Sequence, residues 1–179
     1  MGIPKDSPWR EYGKDADFVL CRREGEYLDG RRPSVVEPGT IWDDLSRRDF
    51  TMNAIALLPD GTLFDPHHGQ SDIEVQAVRF VGNPRERIEE DGLRVIRALR
   101  FAVTKNFLLA SGTEYALREG YAVKSLLRVA KERIMDELNK MFNSSVLNSL
   151  YMLNKFPDIR DAVFAENRVK LMATLKEVV

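Results

Sequence analysis

Apolar and polar positions change rhythm once along the chain. Before about residue 82 the apolar residues come in short runs. Asp17 to Arg22, Asn53 to Leu58 and Val75 to Val81 read as strands, with Pro59-Asp60-Gly61-Thr62 as a hairpin turn. Beyond that point apolar residues recur at helical spacing in Ile88 to Val103, Thr113 to Glu119, Ser125 to Phe142, Ser145 to Asn154 and Asn167 to Val178, with Asn106, Gly112, Gly120 and Pro157 as punctuation. The change falls near Asn83-Pro84 and divides the chain into residues 1–82 and 83–179. Strands followed by helices predict an α+β unit joined to an all-α one. Arg22 to Gly39 is polar, charged and rich in Gly and Pro, and reads as a mobile loop.

The first long helical stretch carries unusual chemistry. At about 100° per residue, Ile88, Gly92, Val95, Ile96, Leu99 and Val103 share one arc, while Arg94, Arg97 and Arg100 sweep the other side with Asp91 beside Arg94. A guanidinium pairs bidentately with phosphate oxygens, and a carboxylate next to it can accept from the exocyclic amine of a base. The array therefore suits a nucleoside triphosphate. A solvated helix surface with ion pairs three residues apart is the alternative that spacing alone leaves open.

Composition narrows the class. The chain has 179 residues, 44% of them hydrophobic, enough for a core of one or two small domains. Its formal net charge of −1 argues against nonspecific nucleic-acid binding and leaves RNA contact to local pairs such as Arg22 with Arg23, Arg31 with Arg32, and Arg47 with Arg48. The single Cys21 excludes an internal disulfide and fits a reducing compartment. Met1-Gly2-Ile3-Pro4-Lys5-Asp6 opens the chain without an apolar run, so the expectation is a cytoplasmic protein with no membrane contact. His67 and His68 are adjacent in a Pro-Gly turn and do not share a face, which argues against a metal site there.

Five blocks in order carry a family resemblance. They are Arg23-Glu24-Gly25-Glu26-Tyr27-Leu28-Asp29-Gly30-Arg31-Arg32-Pro33-Ser34, Arg47-Arg48-Asp49-Phe50-Thr51-Met52-Asn53-Ala54-Ile55-Ala56, Phe64-Asp65-Pro66-His67-His68-Gly69-Gln70-Ser71-Asp72-Ile73, Arg79 to Asp91 running into the arginine helix, and Val129 to Leu138. From about Asp17 to Leu138 the chain resembles the class II tRNA nucleotidyltransferases, the family of CCA-adding enzymes and bacterial poly(A) polymerases. The resemblance implies the rear of a polymerase-β-like nucleotidyltransferase head, a short sheet with helices, followed by an all-α neck.

It also implies roles. Arg48, preferred over Arg47, and Asp49 would contact the incoming nucleotide near its ribose and phosphates. Asp91 and Arg94 would read the Watson–Crick edge of cytosine or adenine. Arg97 and Arg100 would touch phosphate or support that pair, with Arg100 equally suited to bracing head against neck. Glu24, Arg31 and Arg32 fall in the family's flexible loop, which leans toward CCA addition. Asn53 would support the site, or else satisfy buried backbone groups. Glu132, Arg133, Asp136 and Glu137 read as a solvated face, with Ile134, Leu138 and Met141 packed inward. Gly92 reads as a helix-interior glycine costing about 1 kcal/mol relative to Ala.

The family's Gly-Gly turn and Asp-x-Asp strand are not found among these residues, and Asp15-Ala16-Asp17 does not occupy their place. Asp17 instead aligns with a single later carboxylate, making it the expected catalytic and metal-facing residue of a shared, incomplete Mg2+ site. With CTP and ATP as substrates and a tRNA or other RNA 3' end as acceptor, the expectation is part of a transferase adding CMP or AMP. A second polypeptide, or self-association, would supply the Asp-x-Asp half. No DNA partner is expected. The alternative is a noncatalytic remnant that binds nucleotide, RNA or a partner protein.

Overall fold

The computed structural model describes residues 19–25 and 34–164. Asp17, Arg31, Arg32 and the expected helix from Asn167 to Val178 lie outside the described residues. The order is β1 (Arg22–Glu24), β2 (Val36–Pro38), α1 (Ile41–Ser46), a 3-10 turn (Thr51–Asn53), β3 (Ala56–Leu57), β4 (Leu63–Phe64), α2 (Gly69–Glu74) and β5 (Ala77–Val78). Then follow α3 (Pro84–Glu90), α4 (Leu93–Lys105), β6 (Leu108–Leu109), α5 (Ser111–Arg118), α6 (Gly120–Leu126), α7 (Lys131–Ser144) and α8 (Val146–Asn154). Residues 157–164 are also helical. The architecture is α+β, with short two-stranded pairings set against a larger helical part.

Local chemistry explains most boundaries. The Pro59-Asp60-Gly61-Thr62 turn closes the antiparallel β3–β4 hairpin in the register Ala56↔Phe64 and Leu57↔Leu63. Gly61 supplies a positive φ of 85°, and the Asp60 carboxylate accepts from the Thr62 N–H at 2.9 Å. Thr40 and Asp43 form a reciprocal capping box on α1. Asn83 caps α3, with Pro84 at its start. Asp65 accepts from the backbone N–H groups of Gly69 at 2.7 Å and Gln70 at 2.9 Å, which opens α2.

The arginine helix departs from its expected form. Ile88 to Val103 is not one helix but two, α3 and α4, parted at Asp91-Gly92. Gly92 is not an interior weakness. It is the residue before α4, with ordinary helical φ and ψ of −60° and −19°. A Cβ there would overlap the Ser125 carbonyl, so close approach of α6 is what requires glycine.

Other expected elements also shifted. Of the strand expected over Asn53 to Leu58 only Ala56–Leu57 forms, after the 3-10 turn that ends at Asn53. Ser125 to Phe142 is broken between α6 and α7. The ends of the expected loop from Arg22 to Gly39 pair as an antiparallel ribbon, Arg22↔Pro38 to Glu24↔Val36. Val75 to Val81 shortens to β5, because Gln76 has a positive φ, and β5 runs parallel to β6 in the register Ala77↔Leu108.

The core crosses the Asn83-Pro84 change without a gap. Phe50 and Phe80 form an isolated bridge and stack at 5.0 Å, and Phe101 of α4 meets Phe50 edge-on at 5.5 Å. Val95, Ile96 and Leu99 of α4 join them, together with Leu138 and Met141 of α7 and Leu153 of α8. The apolar arc expected for the arginine helix is thus buried, and α4 is the central rod of the molecule.

Replacing Gly92 by Ala should lower unfolding stability by about 2–4 kcal/mol, although helix propensity alone would favour Ala. Urea denaturation checks it, with Gly112→Ala, where nothing lies within 4 Å of the added methyl, as the control. Equal stability of the two variants would refute the close-approach explanation.

Candidate nucleotide site

The α3–α4 break, the α1 C-terminus and α7 together form an open hollow of about 500 Å³. It is lined by Arg47, Arg48, Asp49, Asn53, Asp91, Leu93, Arg94, Arg97 and Arg133. That size falls in the range of small-molecule sites. Five guanidinium groups face it against two carboxylates, so the lining favours an anion.

Each of these groups is held in place. Arg94, only 8% exposed, donates to the Arg87 carbonyl at 2.9 Å, the Arg47 carbonyl at 2.8 Å and the Glu90 carboxylate at 2.6 Å. Two backbone segments and one acid thereby aim a buried cation that could not otherwise leave water. Asp91 ends α3, and its Oδ1 accepts from the Leu93 N–H at 3.0 Å at the start of α4. Its Oδ2 accepts from Arg133 Nη2 at 3.1 Å.

Asp49 pairs with Arg97, whose Nε lies 2.8 Å from its Oδ2, while Oδ1 accepts from Phe50 N–H at 2.8 Å and Asn53 Nδ2 at 3.1 Å. Burial alone would raise the pKa of Asp49. The Arg97 charge and these hydrogen bonds outweigh it and hold the carboxyl below its ordinary value.

Of the residues singled out from sequence, the structure brings Arg48, Asp49, Asp91, Arg94 and Arg97 together around one hollow. Arg48 donates to the Asn53 carbonyl at 3.0 Å and pairs with Asp44 at 3.2 Å. Arg47 also lines the hollow, its side chain pairing with Asp44 and Glu24 and its carbonyl receiving Arg94. Arg100 does not line it. Its guanidinium lies 3.9 Å over the Phe101 ring and pairs with Glu137 on α7. Glu24 sits on β1 against Arg22 and Arg47, away from the lining. Among the described residues no group of three or more His, Cys, Asp and Glu side chains could hold a metal ion. Asp17, the one metal-facing residue expected of this chain, lies outside the described residues.

Two corrections concern α7. Glu137 is not solvated: it is 4% exposed beneath Arg100, Arg97 and Lys140. Burial would raise its pKa, but Lys140 and the two arginines hold it below the ordinary glutamate value. Arg133 is not a free surface charge but Asp91's partner across the hollow. Their four-residue spacing looked like a surface ion-pair pattern. Asp91 and Arg100, the partners 42 and 37 residues earlier that draw them inward, leave no local signal.

Comparison with known proteins follows the same outline. Residues 9–79 match the poly A polymerase head domain. The CCA-adding enzyme of Staphylococcus saprophyticus is 41% identical over 140 residues, covering 78% of this chain and 35% of the relative. That of Oceanobacillus iheyensis is 34% identical over 172 residues, covering 94% and 42%. The solved CCA-adding enzyme of Bacillus stearothermophilus in complex with CTP superposes with a TM-score of 0.66 at 33% identity, over 75% of this chain and 32% of that one.

Over most of its length the chain is similar to the tRNA nucleotidyltransferase and poly(A) polymerase family. It spans 35–42% of the length of these two curated family members. A tRNA nucleotidyltransferase complexed with a primer tRNA and an incoming ATP analog shares the family fold at a TM-score of 0.61 and 30% identity, over 73% of this chain and 38% of that one. Among the described residues no helix is long and apolar enough to cross a membrane.

Asp49→Asn should cost about 2–3 kcal/mol at pH 7, since it removes the nearer carboxylate of Arg97 and leaves only Glu137 at 3.9 Å. The lowered folded-state pKa fixes the sign. Asp49's contribution is complete above the ordinary carboxylate value of about 4 and is lost as pH falls through its lower folded value. Urea unfolding of both proteins from pH 7 to pH 3 should show the gap closing as acid is added. A gap independent of pH would contradict the assignment.

Proposed function

We propose that this chain supplies the nucleotide-selecting part of an RNA nucleotidyltransferase that adds CMP or AMP to a tRNA 3' end. The observation that carries the reading is the hollow in which an aimed acid and guanidinium, Asp91 and Arg94, stand beside the cationic group of Arg48 and Arg97. Its polarity suits both ends of a nucleotide. Arg48 and Arg97 would meet phosphate oxygens, with Asp49 holding Arg97. The Asp91 carboxylate would accept from the exocyclic amine of cytosine or adenine, while Arg94 donates to ring acceptors. Residues 1–82 would form part of the head and residues 83–179 the neck. The protein's place would be in the cytoplasm.

In the reaction the RNA 3'-oxygen bonds to the α-phosphorus and the α–β phosphoanhydride bond breaks, releasing pyrophosphate. The Asp-x-Asp strand and its metal-binding carboxylates would come from another polypeptide, with Asp17 beside them. The apolar surface near α1 and β3 supports such a neighbour: Val19, Leu20, Val35, Trp42, Leu57 and Leu63 are exposed. A cleft of about 440 Å³ lined in part by Val19, Cys21, Ile41, Ile55 and Ala56 lies in the same region.

The test incubates the chain with labelled CTP or ATP, Mg2+ and tRNA lacking its CCA end, with and without a polypeptide carrying the Gly-Gly turn and Asp-x-Asp strand. Extension only when that polypeptide is present is the expected result, and Asp91→Ala should then abolish the preference for C and A over U and G. Nucleotide binding without extension in either mixture would favour the noncatalytic remnant. Unchanged base preference in Asp91→Ala would refute the selecting role.

A further inference from the structure

Asp91 has two oxygens with about four lone-pair positions between them. One oxygen is held from its own side of the hollow by the Leu93 N–H, and the other from the opposite wall by Arg133 Nη2 at 3.1 Å. Arg133 does not make the two-pronged pairing that arginine and carboxylate often form. Only Nη2 engages Asp91, and the other terminal nitrogen, Nη1, is buried without a hydrogen-bond partner. The single contact leaves lone pairs of Asp91 for a third group, and both residues line the hollow.

We propose that Arg133 is a specificity-determining positioning residue: from α7 it fixes the Asp91 carboxylate in the orientation that receives an exocyclic base amine. The inference rests on the proposed base-reading role of Asp91. The ligand class is the ribonucleotides with an amine on the Watson–Crick edge, cytosine and adenine, as against uracil and guanine, which present a carbonyl at that position. With both oxygens tethered, the acceptor is in place before the base arrives, and binding incurs little ordering cost. Without Arg133 the Leu93 N–H still holds Oδ1, but Oδ2 loses its tether and the acceptor direction loosens. The register of α7 against the α3–α4 break would then tune base choice.

The experiment measures dissociation constants of CTP and UTP by calorimetry for the full chain, R133M and R133K, with thermal unfolding of each recorded. R133M should weaken CTP binding about tenfold, equivalent to about 1.4 kcal/mol, and change UTP binding by less than about twofold. R133K, which restores the charge, should recover part of the loss. R133Q stands in should R133M unfold at the assay temperature, with the same expected result. An unchanged CTP-to-UTP ratio overturns the inference alone. Equal weakening of both nucleotides also overturns it, because it marks a general phosphate or structural role. Wild-type protein without any preference overturns the base-reading role of Asp91 and this inference with it.

Discussion

Burying the Arg94 guanidinium is the constraint on which the site depends. A charge this far from water needs its donors occupied, and Arg94 finds the Arg47 carbonyl, the Arg87 carbonyl and the Glu90 carboxylate. Those partners come from the residue after α1 and from the last turn of α3, and Arg94 itself belongs to α4. Meeting the electrostatic demand of one side chain therefore brings three segments to one point. The hollow is the space beside them.

The remaining charges follow the same logic. Asp49 takes Arg97, Glu137 takes Arg100, and Arg133 takes Asp91, so two arginines of α4 and the acid just before it are each answered from elsewhere in the fold. Aromatic packing backs this arrangement, with Arg97 and Arg100 both lying over the Phe101 ring. A surface so braced presents donors and acceptors in fixed directions. That is the property a protein needs if it is to choose a nucleotide without a nucleic-acid template. Fixed polar groups discriminate more sharply than apolar contact, because a mismatched partner leaves them unpaired.

The parts legible in the sequence were those decided locally. The apolar arc of Val95, Ile96 and Leu99 follows from helical period, and the β3–β4 hairpin follows from Asp60-Gly61. Asp49, Asp91, Arg94 and Arg97 were found from the order of charges and the family resemblance, and they converge. What the sequence hid was tertiary. Gly92 looks like a propensity defect until Ser125 is seen against it. Arg133 and Glu137 look like surface charges because the partners that draw them inward lie on α4 and just before it. Arg100 belongs on the helix's polar side by spacing, but a turn of the helix carries it past the hollow to α7.

The central claim is that the hollow between the α1 C-terminus, the α3–α4 break and α7 receives a ribonucleotide and reads its base. Backbone amide chemical shifts of the isotopically labelled chain, followed during titration with CTP, test it most directly. The account expects shifts concentrated at residues 47–53, 91–97 and 133, with the Leu93 amide, which donates to Asp91, among the largest. Shifts confined to other surfaces, or none at saturating CTP, would contradict it.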